Sequence, residues 1–75
     1  MPFLHEGQLV ARLDLKSDRK DSRLLILGGH AEPGVDIAAF APTLKAELQN
    51  LATWLALERV SIKARTELSN ALRKI

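Results

Sequence analysis

The sequence predicts a small two-layer α+β domain of order ββαβα, with an antiparallel hairpin and a third strand packed on one long helix. Three observations carry that reading. Apolar and polar residues alternate from Gln8 to Lys16, which is the period of a half-buried strand. The wholly polar stretch Ser17-Asp18-Arg19-Lys20-Asp21-Ser22 then separates two apolar runs, as a hairpin connection does. From Asp36 to Leu57, Ile37, Phe40, Leu44, Leu48, Leu51 and Leu55 line one face of a helical period.

The 75 residues make a single domain, 1–75. Folding at this size buries only about 60% of the unfolded surface, so the core is small. With no cysteine there is neither a disulfide nor a thiolate metal ligand. Met1 to Gly7 lacks the basic region and apolar run of a signal peptide, and Lys45, Glu47, Gln49 and Asn50 interrupt the major helix. The expectation is a soluble, cytoplasmic protein without membrane contact. A formal net charge of +2 and a pI near 9.4 permit contact with nucleic acid without requiring it.

Taken in order, Phe3 to His5 is a short strand and Glu6-Gly7 a two-residue turn, since Gly accepts positive φ. In the next strand Leu9, Ala11, Leu13 and Leu15 point one way, and Val10, Arg12, Asp14 and Lys16 the other. The hairpin tip at Ser17–Ser22 is expected to be exposed and mobile. Arg23 to Ala31 forms the second strand of the hairpin, and its consecutive Leu24, Leu25, Ile26 and Leu27 load both faces of the sheet. Either the C-terminal helix covers the second face, or something outside these residues does. Gly28-Gly29 marks a bulge or a close backbone approach.

Glu32-Pro33-Gly34 is a turn signal, and Asp36 is the natural cap of the long helix. Pro42 removes a hydrogen bond to the Ala38 carbonyl, so the helix either kinks there or begins nearer Ala39. It should run to about Leu57 or Glu58. Val60 to Lys63 is a third short strand, reached by a helical crossover that should be right-handed. Thr66 caps a last helix in which Leu68, Ala71, Leu72 and Ile75 form the apolar stripe, with Arg73 and Lys74 at the end that favours cations.

Little in this chain suggests catalysis. His30 and Glu32 share one side of a strand, but two ligands do not close a metal site. Asp14, Asp18 and Asp21 are interleaved with Arg12, Lys16, Arg19, Lys20 and Arg23, whereas a carboxylate acid needs desolvation or a like-charged neighbour. No catalytic residue, cofactor or metal is expected. Those five cations, Arg12, Lys16, Arg19, Lys20 and Arg23, are instead candidates for nonspecific contact with a DNA backbone, against the alternative of a solvated, salt-bridged hairpin. Arg59, Lys63, Arg65, Arg73 and Lys74 form a second basic group. The doubly apolar second strand, through Leu24 and Ile26, and Trp54 at the margin of the helical stripe are candidates for a protein interaction surface. A homodimer partner or a neighbouring domain would cover it.

The run Leu9-Val10-Ala11-Arg12-Leu13-Asp14-Leu15-Lys16-Ser17-Asp18-Arg19-Lys20, preceded by Leu4 and Gly7, resembles the C-terminal portion of the winged-helix DNA glycosylases of the AlkZ/YcaQ type. Glu32-Pro33-Gly34, then Glu47-Leu48, Leu51-Ala52, Trp54-Leu55-Ala56-Leu57 and Val60, continue the resemblance in order and spacing over nearly the whole chain. Arg12-x-Asp14-Leu15-Lys16-x-Asp18-Arg19 is its most distinctive part. The resemblance implies a C-terminal accessory domain of a protein that excises alkylated or crosslinked bases, packed against upstream winged-helix domains. That family's glutamine-containing catalytic motif lies upstream of anything present here, so no enzyme activity is expected of this chain alone. On the family's pattern Arg12, Lys16, Arg19 and Lys20 contact the DNA backbone, with structural support an equal reading. The alternative is a protein-interaction or self-association module without DNA binding.

Overall fold

The structure, a computed structural model, describes residues 1–75 throughout. The elements are β1 (Pro2–His5), β2 (Gln8–Asp18), β3 (Arg23–Ala31), α1 (Ile37–Trp54), β4 (Arg59–Ile62) and α2 (Glu67–Arg73). This is an α+β fold, as the alternation and the helical stripe predict, but its order is βββαβα rather than ββαβα, because Pro2–His5 pairs with β2 as a full member of the sheet. One sheet of order β1-β2-β3-β4 makes the first layer. β1 and β3 flank β2 antiparallel, and β4 joins β3 parallel after the α1 crossover.

Both helices lie on the same side of the sheet. Leu24 and Ile26 of β3, Phe40, Leu44 and Leu48 of α1, and Leu68 and Leu72 of α2 belong to one buried core. The C-terminal helix therefore does not cover the second face, and that face stays open. Leu24 and Ile26, expected as interaction residues, are correspondingly withdrawn from the surface, at 2% and 1% exposure. Their sequence neighbours Leu25 and Leu27 turn to the other side, where Leu25 is nonetheless buried beneath its neighbours and Leu27 is exposed.

Two bulges set which residues face the core. Phe3 pairs with Ala11 but Leu4 with Leu9, so Val10 has no partner of its own on β1. Val10 consequently joins the core beside Ala11, while Leu9 turns with Leu4 to the open side, breaking the alternation expected from Leu9 onward. Asp14 pairs with Gly28 and Leu15 with Ile26, which leaves Leu27 as the second unpartnered residue. The bulge expected at Gly28-Gly29 thus falls one residue earlier. Gly29 is buried but not a close approach: a Cβ there would meet Leu13 Cγ at 3.5 Å and Leu68 Cδ2 at 3.6 Å, ordinary packing distances.

The helix ends follow local chemistry. The Asp36 carboxylate accepts from the Ala38 amide at 3.2 Å, fixing the start of α1 at Ile37, so Pro42 lies within the helix rather than in its first turn. α1 stops at Trp54, short of the expected Leu57, because Ala56 adopts φ 60°. The Ala56 amide then donates to Thr53 and the Leu57 amide to Ala52 at 2.8 Å, a closing motif that a residue with positive φ makes possible. Thr66 caps α2 through the Ser69 amide, and its hydroxyl donates to the Gly29 carbonyl at 2.7 Å, tying α2 to β3. Ile75 lies beyond α2 and is 48% exposed, outside the stripe assigned to it.

The hairpin tip is shorter and better anchored than its composition predicts. β2 extends to Asp18, so only Arg19–Ser22 turn the chain. Ser22 offers its carbonyl and hydroxyl to the Glu58 amide at 2.8 and 3.2 Å.

The open sheet face as candidate interaction site

Paired strand residues share a face, and the pairings therefore lay out the open side row by row. Pro2, Arg12 and His30 form one row; Leu4 and Leu9 form the next toward the β1 turn. Asp14 stands beside Gly28, with Leu27 bulged next to them. Lys16, Leu25 and Ser61 make a row across three strands, followed by Asp18, Arg23 and Arg59. Leu4 is 63% and Leu27 44% exposed, so leucines and cations occupy the same uncovered surface.

The five candidate cations have different environments. Arg12 Nε donates to Glu32 Oε1 at 3.2 Å on the exposed surface. Arg23 donates to Asp18 at 3.0 Å and lies 3.5 Å from Asp21. Its bond to Asp18, helped by the Asp21 amide, holds that carboxyl below the ordinary carboxylate range against a smaller opposing effect of desolvation. Arg19 leaves the face: its guanidinium donates to the Leu55 carbonyl at 2.6 Å, at the C-terminal end of α1. Lys16 and Lys20 make no side-chain hydrogen bond or ion pair in the structure and stand exposed.

The second basic group is divided by the fold. Arg59, by its pairing with Arg23, belongs to the open face. Arg73 lies on the helical side, where it donates to the carbonyls of Ile62 at 2.9 Å and Ala64 at 2.6 Å. Trp54, 81% exposed at the end of α1, is in the helical layer and is not brought together with the open-face leucines.

Chemically, the open face offers desolvation by leucine, positive charge from Arg12, Lys16 and Arg59, and no acid–base pair. Asp14 and Asp18 stand among cations, and no group of three or more His, Asp or Glu side chains is arranged to hold a metal ion. Leu9 had no signal in the sequence as a member of this face, because its orientation depends on the first bulge. Leu25 and Leu27 did: four apolar residues in succession load both faces of the sheet. No helix is long and apolar enough to cross a membrane. Compared with family models, curated proteins and solved structures, the chain finds no match in any of the three.

Proposed function

We propose that this domain is a non-catalytic accessory domain of a DNA-repair-type, DNA glycosylase-like winged-helix protein. It lays the open face of its sheet against a neighbouring protein domain and brings cations of that face to the DNA backbone. One observation carries the reading: exposed Leu4 and Leu27 lie on the same uncovered face as Arg12 and Lys16. A sheet with both helices on one side and leucines on the other has apolar surface to bury, and its cations suit phosphate rather than base edges. The resemblance to the winged-helix DNA glycosylases supplies the neighbour and the nucleic acid.

A second reading, self-association of the chain without DNA, is favoured by the pairing of exposed Leu4 with half-buried Leu9 at the sheet's edge. Fluorescence anisotropy with a labelled DNA duplex at low and moderate salt separates the two, with light scattering on the same sample. Binding that falls steeply with salt and is lost in Lys16→Glu/Lys20→Glu supports phosphate contact. These two lysines are chosen because neither holds the fold together. No binding at low salt by a dimeric species favours self-association, and salt-insensitive binding by the double variant would remove this surface from consideration.

A further inference from the structure

On the opposite layer, the end of the sheet opens into a cleft of about 620 Å³ between β4, α1 and α2. β4 is the last strand, so its outer edge has no partner. The Arg59 and Lys63 amides turn inward to the carbonyls of Ser22 and Ile26. By strand alternation, Val60 and Ile62 turn their backbone groups to the free edge. Arg73 already donates to the Ile62 carbonyl at 2.9 Å, doing at that position what another strand would do. The Val60 amide and carbonyl and the Ile62 amide are left for a partner. Half-buried Val60 and Ile62 line the cleft at this edge over the nearly buried Leu48, Ala52 and Leu72, giving a shallow apolar floor for the side chains of an added strand.

We propose that this cleft binds an extended segment of an acidic, apolar partner protein, added to β4 as a fifth strand. Its charge fixes the chemistry of the occupant: Lys45, Arg59 and Arg73 line the cleft against Glu58 alone. Residues of the added segment that face the helical layer bring carboxylates to Lys45 and Arg73 and apolar side chains to the cleft, and a carboxylate on the opposite face meets Arg59. A nucleic acid would satisfy the cations but would leave the backbone edge and the apolar lining without complements. The cleft is built from the helical layer and shares only Arg59, at the end of β4, with the open sheet face.

The test is selection of a random phage-displayed peptide library on the immobilised 75-residue chain. Amide NMR of the labelled chain then follows titration with the selected synthetic peptide and, separately, a short mixed-sequence DNA duplex. The expected result is enrichment of extended sequences that combine acidic and apolar residues, with the Val60 and Ile62 amides shifted and protected from exchange. Lys45→Glu, which leaves the open face untouched, should weaken that peptide by roughly fivefold or more, with folding checked by circular dichroism. Absence of enrichment over bare matrix, selection of basic peptides, shifts confined to the open face, or Val60 and Ile62 responding to the duplex but not to peptide would each overturn the proposal.

Discussion

Arg19, at the tip of the β2–β3 hairpin, donates from its guanidinium to the main-chain carbonyl of Leu55, 36 positions further along the chain. α1 has no basic residue in its own last turn, so the cation that its dipole favours arrives from the sheet. The same contact fastens the turn that the polar composition of the tip had led us to expect as loose.

Replacing Arg19 should therefore damage stability as well as charge. Arg19→Ala is expected to cost about 1 kcal/mol, in the range of an exposed charge-assisted hydrogen bond at a helix terminus. Arg19→Glu should cost more, because a carboxylate would face the negative end of α1. Urea denaturation followed by circular dichroism reads both, and an unchanged midpoint for Arg19→Ala would show that the contact carries no stability.

Ala56 holds φ 60°, a conformation that glycine adopts without steric penalty. Ala56→Gly should stabilise the protein by about 0.5–1 kcal/mol, since relief of strain exceeds the added freedom of the unfolded chain. A raised melting temperature would agree; a lowered one would mean that the surroundings hold Ala56 without strain.

Pro42 occupies the interior of α1 and leaves the Ala38 carbonyl without its usual donor. Because Pro42 is exposed, Pro42→Ala restores that donor without opening a cavity. A gain of about 1–3 kcal/mol in unfolding free energy is expected. Loss of stability in this variant would indicate that the fixed φ of proline matters more than the missing bond.

Asp18 has a depressed pKa because Arg23 donates to its carboxylate. Depression in the folded state means that ionised Asp18 stabilises the fold above the ordinary carboxylate pKa. That contribution disappears as pH falls through the lower, folded value. Carbon-detected NMR titration should place Asp18 below the ordinary aspartate value, and Arg23→Ala should return it toward that value. An Asp18 titration unaffected by Arg23→Ala would identify the wrong cause.

Much of this architecture is legible from residue chemistry. Asp36 and Thr66 announce their helices because a short side chain with an acceptor oxygen suits a cap, and Gly7, at φ 80°, permits the turn after β1. The bulge at Leu27 was announced by Gly28-Gly29 to within one residue, but the bulge at Val10 was not legible, since one unpaired residue changes facing without changing composition. The end of α1 was misplaced because alanine is a good helix former and nothing at Ala56 itself announces positive φ. The candidate cations were legible as a group, but only coordinates distinguish Arg19, turned toward α1, from exposed Lys16 and Lys20.

The parallel pairing of β4 with β3 also orders the events by which the chain acquires its structure. β1, β2 and β3 meet through short turns, so their hairpins close over small separations. Arg59 reaches its partner Arg23 only after the whole α1 crossover has been traversed, a closure with a larger entropic barrier. Until it does, Leu24 and Ile26 lack the cover of α1 and α2. Docking of the C-terminal half is therefore expected to be the slow step of folding, with the nascent sheet most exposed to aggregation before it.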